Sequence, residues 1–360
     1  MTHSAASVND LEILPPRVTV VVVTFEGRKH IANCVRSLMS ATAEQAEVVV
    51  IDNASTDGTT ELVSHEFPWV RIIKSERNVG YGSACNTAAA QSKAEYIAVV
   101  NQDVISTLGW IDRLVTALDQ SPEAALATPK ILLKSDPGRI NACGNAPHYT
   151  GITPCRGYNR PASEYCRLEE VPAVSGAAFV IRRSAFESLG GFDSSFFLYF
   201  EDTDLSLRAR LAGYRCLCVP DAVVLHDFAP RFSADKIFFI EANRHATWIK
   251  LFRWRTLLIL APALILTELS VWAYCLVRGP RCLAAKTRAL YRFLSTLPAI
   301  LQSRRSAQML RRVADGDLMA ACSSRLQLEE IELGVGRPLS AAINTVYSWW
   351  YGCAVVLVKW

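Results

Sequence analysis

Three carboxylates, Glu201, Asp202 and Asp204, follow directly on the aromatic run Phe196-Phe197-Leu198-Tyr199-Phe200. Burying unpaired carboxylates is expensive, so this cluster must have partners or a use. A helix is predicted just beyond, with Leu205, Ala209 and Leu211-Ala212 on one face. Acidic groups at a helix start are stabilised by the backbone dipole. Asp204 fits that modest capping role. Upstream, Asp52 closes the run Val48-Val49-Val50-Ile51. A carboxylate at the end of such a strand can accept hydrogen bonds from a nucleobase imide or a ribose. In Arg77-Asn78-Val79-Gly80-Tyr81-Gly82 the two glycines permit close backbone approach to a ligand, and Arg77 is placed to face a base or a phosphate. Asp57, before Gly58, reads as a turn or cap residue.

The elements that must position these groups are legible from periodicity. Val18–Thr24 is β-branched with no polar alternation, as in a strand buried on both faces. Ile31, Val35, Leu38 and Met39 recur at helical spacing. Strands are predicted at Val48–Ile51, Val70–Lys74 and Tyr96–Val100, with a short helix after Gly58 and another over Ala84–Ala90. This alternation predicts an α/β fold with a mostly parallel central sheet flanked by helices. Ligands bind beyond the carboxyl ends of such strands, and Thr24, Asp52 and Asp103 all stand there. Ile131–Cys166, rich in Gly, Pro and Asn, reads as loops and short strands beside the sheet. The first strand runs into Thr24-Phe25-Glu26-Gly27-Arg28 without the Gly-x-Gly-x-x-Gly turn of dinucleotide-binding oxidoreductases, which weighs against that class.

Taken together, the segments ending at Thr24 and at Asp52-Asn-Ala-Ser-Thr-Asp-Gly-Thr59, with Asn78-Val-Gly-Tyr-Gly82, Asn101-Gln-Asp103 and Gly190-Gly191…Glu201-Asp-Thr-Asp204, resemble the inverting glycosyltransferases of family 2, which have the GT-A fold. The likeness covers roughly Val18 to Arg253 and leans toward rhamnosyl- and related lipid-directed transferases. It implies that Asp52 binds the nucleobase of a nucleotide diphosphate sugar, with Thr24, Glu26, Arg77, Asn78, Gly80, Asn101 and Asp103 on the donor side. It implies that Asp103 holds Mg²⁺ or Mn²⁺ against the pyrophosphate, with His226 as a second metal ligand. Asp202 would be the general base, Glu201 would contact the acceptor or orient its loop, and Gly176 and Ala177 would let sugar and acceptor approach the backbone. Where relatives carry Arg-Asn, this chain has Ala242, Asn243 and Arg244; Arg244 is a candidate for the diphosphate, with a surface position as the alternative.

The chain has 360 residues, 51% of them hydrophobic, and a net charge of +4. That size suits one large domain with an appendage, or two domains. The expected division is a tail over 1–17, a catalytic domain over 18–253 and a membrane-associated helical region over 254–360. The tail lacks the basic start and apolar core of a signal peptide, so the catalytic domain is expected on the cytoplasmic side. Thr256–Val277 is long and apolar enough to span a bilayer, but a span would carry the basic residues Arg281, Lys286, Arg288, Arg292, Arg304, Arg305, Arg311 and Arg312 across it, against the positive-inside rule. A peripheral or re-entrant helix on an anionic membrane surface, with Tyr347, Trp349, Trp350, Tyr351 and Trp360 as an interfacial anchor, is the consistent expectation; a helix buried in a soluble core is the alternative. The 11 cysteines include no Cys-x-x-Cys pair, so reduced thiols are expected, with a metal at Cys143, Cys155 and Cys166 as the weaker alternative. The expected activity is inverting transfer of a hexosyl or deoxyhexosyl unit, such as rhamnosyl, to a lipid-linked glycan acceptor in surface polysaccharide synthesis. No nucleic-acid partner is expected, and oligomeric state is not readable. Rival readings are a nucleotidyltransferase, a non-catalytic sugar-nucleotide-binding subunit and a membrane scaffold.

Overall fold

The computed structural model describes residues 15–41, 46–228, 233–326 and 337–360. The tail expected over 1–17 falls, in its first 14 residues, outside them. The first half alternates as its periodicity predicts: β1 (Val18–Thr24), α1 (Ile31–Ala41), β2 (Ala46–Asp52), α2 (Thr59–Glu66), β3 (Arg71–Lys74), α3 (Tyr81–Ala89) and β4 (Tyr96–Asn101). These strands pair in parallel in the order β3-β2-β1-β4, with Thr24 opposite Asp52 and Val23 opposite Asn101. The register sets the carboxyl ends of β1, β2 and β4 side by side.

Beyond β4 the sheet is mixed. Next come β5 (Val104–Ser106), α4 (Trp110–Asp119), β6 (Ala124–Leu133), β7 (Asp136–Ala142), β8 (Glu169–Val171), β9 (Ala178–Arg182), α5 (Arg183–Ser188), α6 (Glu201–Leu211) and β10 (Arg215–His226). The sheet continues β4-β9-β6-β10-β5, with β9 antiparallel to both neighbours and β10 parallel to β6. Ile131–Leu133 is therefore no peripheral loop but the end of the central strand β6. Its Pro129 and Lys130 had masked the apolar run, although Pro129 faces a bulge in β10 where the register shifts.

Alternate side chains of β1 enter opposite cores. Val20 and Val22 join α1, α2 and α4 on one face, whereas Val21 and Val23 join α3, α5 and α6 on the other. Burial of both faces explains why β1 has no polar position to alternate.

The C-terminal third is helical: α7 (Ala234–Leu251), α8 (Trp254–Arg278), α9 (Pro280–Ser295), α10 (Leu297–Met309), α11 (Asp315–Ala321) and α12 (Arg337–Leu357). A third core joins the two parts. Tyr149, Phe200, Leu207, Leu211 and Trp248 pack with Leu260, Ala263, Met319, Tyr347 and Val358. Helix α8 buries Thr256, Leu260, Ala263, Thr267 and Cys275, and exposes Leu258, Ile265, Leu269 and Leu276 on another face. After Gly279 the chain reverses, and α9 packs along both α8 and α7. The helices before and after α8 are thus in contact with each other.

Charge fastens this region. Glu241 on α7 meets Arg244 at 2.7 Å and Lys286 at 2.5 Å, and Glu268 on α8 meets Arg244 at 2.9 Å and Lys286 at 2.5 Å. Although burial pushes Glu241 upward, the two cations hold its carboxyl down at about 2. Arg244 also donates to Thr150 O. It is buried, so neither a surface position nor a diphosphate contact fits it. The basic run is likewise only partly superficial. Lys286 is enclosed, Arg304 donates to Ile249 O and Phe252 O, and Arg311 pairs with Asp315. Lys286→Met leaves two carboxylates undercompensated; since breaking a buried pair costs about 3–5 kcal/mol, a loss of that order is expected in urea unfolding, against a change within about 0.5 kcal/mol for Arg305→Ala on the exposed surface.

Candidate active site

The turn after β1 and the turn after β2 interlock. Asp52 is buried; its Oδ1 accepts from Ser55 N at 3.0 Å and its Oδ2 from the Thr60 hydroxyl. Glu26 takes a left-handed conformation at φ 48°, and its Oε1 accepts from Thr56 N and Oγ1 at 2.9 and 3.0 Å. Asp57 accepts from Thr59 N and Arg28 N, the turn role expected of it. Thr24 Oγ1 donates to Gln102 Oε1 at 2.6 Å, which ties β1 to the Asn101-Gln102-Asp103 turn. Asn78 Oδ1 accepts from Asn53 Nδ2 and Gly80 N, so Asn78 holds the loop in which it sits. Arg77 is exposed and makes no ion pair among the described residues. A side chain at Gly80 would meet Phe197 O at 2.4 Å at a φ of 87°, so glycine is required there.

Asp103, in the turn between β4 and β5, and His226, the last residue of β10, meet: Oδ1 lies 3.3 Å from Nε2. His226 Nδ1 contacts Asn141 Oδ1 at 2.8 Å. With that oxygen as acceptor, Nδ1 carries the hydrogen and Nε2 is left toward Asp103, where it can ligate a cation. Nearby in the same turn, Asn101 Oδ1 is buried without a partner. An imidazole nitrogen, a carboxylate oxygen and an orphaned amide oxygen fit Mn²⁺ or Mg²⁺ by donor chemistry. One tighter group exists among the described residues, Glu241, His245 and Glu268, but Arg244 and Lys286 already supply its positive charge. Cys143, Cys155 and Cys166 form no such group, and none of the eleven cysteines, all described, is in a disulfide.

The turn before β9 links this end of the sheet to the acidic cluster. Asn101 N donates to Ala177 O at 2.9 Å, Tyr81 OH to Gly176 O at 3.1 Å, and Gly176 N to Asp202 Oδ2 at 2.6 Å. A Cβ at Gly176 would stand 3.0 Å from Asp202 Oδ2. Asp202 is half-buried and receives two further donors, Asn145 Nδ2 at 2.9 Å and Thr203 N at 2.6 Å. Burial raises both acidic groups of the pair, but the three donors oppose the rise at Asp202. Glu201 is buried, with Oε2 unpartnered, and burial first and the Asp202 charge second push it up to about 8. The three donors favour the charged form of Asp202, whereas burial holds Glu201 toward its neutral form.

The cluster is aimed by strained backbone. Tyr199 and Phe200 take φ values of 64° and 77°, a conformation that costs bulky residues about 1–3 kcal/mol each. Asn243 on α7 holds that turn, donating to Leu198 O at 3.1 Å and Tyr199 O at 2.8 Å. Asp204 is no cap. It points inward to Arg208 at 2.8 Å and Lys250 at 2.6 Å, while Phe200 occupies the N-cap position. Lys250 also holds Asp193 at 2.5 Å, which binds the preceding loop to α6 and α7. Sequence reasoning missed Asn141, Asn145 and Asn243 as partners of the site. A lone asparagine in a short strand, a loop or a helix carries no periodic signal, and only the fold brings these to their partners.

Comparison with known proteins matches this geometry to a family. A Glycosyl transferase family 2 model matches residues 19–190, and a Glycosyl transferase family group 2 model residues 158–295. An N-acetylglucosaminyl-diphospho-decaprenol L-rhamnosyltransferase of Mycobacterium tuberculosis is 32% identical over 262 residues, which cover 66% of this chain and 83% of that protein. The chain belongs to glycosyl transferase family 2. This family 2 enzyme has the GT-A fold of solved relatives. S. aureus TarS matches with a TM-score of 0.53 at 16% identity, over 92% of this chain and 54% of that one. GalNAc-T7, solved with UDP, GalNAc and Mn²⁺, matches with a TM-score of 0.50 at 18% identity, over 68% of this chain and 54% of that one. The family 2 chain thus spans about half the length of either structure.

Because the folded pKa of Glu201 lies above its unfolded value, its stabilising contribution is complete below about pH 4.5 and is lost as pH rises through about 8. Glu201→Gln removes that loss: its melting temperature should exceed that of the natural chain at pH 9 and approach it near pH 5, as followed by circular dichroism.

Proposed function

We propose that this glycosyltransferase performs an inverting transfer from a nucleotide diphosphate sugar to a lipid-linked glycan in surface polysaccharide synthesis. A hexosyl or deoxyhexosyl unit is transferred, and rhamnosyl is favoured by the name of the Mycobacterium tuberculosis relative. The observation that carries the reading is the hydrogen-bonded turn Gly176-Ala177, which joins Asp202 to the strand end that leads into Asp103.

The nucleotide lies over the turns of Asp52, Thr24 and Glu26, with Arg77, Asn78 and Gly80 beside it. Asp103 and His226 would hold Mg²⁺ or Mn²⁺, with Asn101 adjacent, and an ion bound there would supply positive charge against the leaving diphosphate. The acceptor hydroxyl approaches over Gly176 and Ala177. Asp202 accepts its proton as the oxygen bonds to the anomeric carbon and the bond from that carbon to the diphosphate oxygen breaks, its electron pair leaving with the diphosphate. Neutral Glu201 donates a hydrogen bond toward the acceptor. No covalent enzyme intermediate is needed.

We divide the chain into a catalytic domain over 18–253 and a membrane-associated region over 254–360. Exposed Leu258, Ile265, Leu269 and Leu276 on α8, Tyr291 and Leu294 on α9, and Val346, Trp349 and Val356 on α12 support a membrane-facing surface. The return of α9 to α7 supports an α8 that lies in the cytoplasmic interface rather than crossing the bilayer.

Asp202→Asn should lower kcat by about 10²–10⁴ in a membrane assay with labelled sugar nucleotide and lipid-linked acceptor, while nucleotide affinity persists. Unchanged turnover would remove the mechanism. His226→Ala should raise the Mn²⁺ concentration for half-maximal rate by about ten-fold or more, measured after chelation and metal add-back; an unchanged metal curve would exclude His226 as a ligand.

A further inference from the structure

A groove of about 460 Å³ opens between the catalytic domain and α9, lined by Val79, Phe197, Phe238, Phe239, Arg288 and Arg292. Its inner wall is the back of the site. Val79 lies between Asn78 and Gly80, and Phe197 O is the carbonyl that Gly80 abuts and that accepts from Tyr81 N at 2.9 Å. Phe197 belongs to the same loop that delivers Glu201 and Asp202.

The floor is aromatic and ordered. The Phe197 and Phe239 rings stack 5.4 Å apart at 22°, and Phe238 meets Phe239 edge-on at 4.9 Å. Two cations stand over it. The Arg288 guanidinium lies 4.9 Å from the Phe238 ring, is exposed and has no carboxylate partner among the described residues. Arg292 lies 6.0 Å from the same ring and donates to Ser195 O at 2.9 Å, which fixes its place at the rim. Farther along α9, Tyr291 and Leu294 are exposed, so the groove adjoins the apolar helical surface.

Unpaired guanidinium beside stacked phenylalanines suits a ligand with an anionic head and an apolar chain. A soluble sugar nucleotide offers no apolar chain, and a simple phospholipid carries no sugar to present to Asp202. We propose that this groove receives the diphosphate and first isoprene units of the lipid-linked acceptor. Arg288 and Arg292 meet the diphosphate, and the phenylalanines meet the isoprenoid. This deepens the acceptor reading above and rests on it. The lipid is thereby held from the membrane side while its terminal sugar reaches forward to Asp202.

The test is direct binding to the full chain in detergent micelles, followed by tryptophan fluorescence, with farnesyl diphosphate, farnesol and inorganic diphosphate as probes. Farnesyl diphosphate should bind at least about ten-fold more tightly than either fragment, and Arg288→Glu should weaken it by about ten-fold or more, roughly 1.4 kcal/mol. Phe239→Ala should weaken farnesyl diphosphate and farnesol together but leave inorganic diphosphate unaffected. Thermal melting checks that both variants are folded. Equal affinity in the natural chain and Arg288→Glu, or no preference for farnesyl diphosphate over farnesol, overturns the assignment. Arginine-dependent binding in a chain that transfers no sugar supports the groove and counts against the transfer reading alone.

Discussion

Stabilising a carboxylate at a half-buried helix start is the constraint around which this molecule is arranged. Asp202 meets it with hydrogen bonds rather than with a counter-ion: Asn145, Gly176 and Thr203 all donate to it. Amide donors of this kind stabilise the charged form without adding an opposite charge. Glu201, adjacent and buried with Oε2 unpartnered, is pushed toward its neutral form by that burial and by the Asp202 charge.

That arrangement is upheld from outside the sheet. Two residues with positive φ, Tyr199 and Phe200, turn the chain so that α6 begins at Glu201, and Asn243 satisfies the carbonyls the turn exposes. Lys250 and Arg208 neutralise Asp204 and Asp193 beneath it. The sheet places Asp52 and Asp103, and helix α7 fixes the turn that carries Glu201 and Asp202.

The parts of this design visible in the sequence are those where an apolar run stops at a polar residue. Thr24, Asp52 and Asn101 end strands buried on both faces, so both the strand and its terminal polar group were legible. The cluster at 201–204 was legible because aromatics precede it. The supporting amides were not: Asn145 reaches Asp202 across 57 residues, Asn141 reaches His226 across 85, and Asn243 reaches Tyr199 across 44. Local pattern carries no trace of such pairings. Charge misled in a different way. Lys286, Arg304 and Arg311 look like part of a solvated basic tail, but each has its polar head bound to carboxylates or carbonyls that chain order alone does not pair with it. Asp204 misled for a related reason, since first-turn acids usually cap and this one faces inward.

The core shared by Tyr149, Leu207 and Trp248 with Leu260, Met319 and Tyr347 bears on how the enzyme can be handled. Clipping the chain after Arg253 to obtain a water-soluble fragment would peel away one side of a common interior and strand Arg244 and Glu241 beside a missing lysine. Solubility has to be engineered by repainting the outward stripe of α8 at Leu258, Ile265 and Leu269 with polar side chains, leaving its inward stripe untouched.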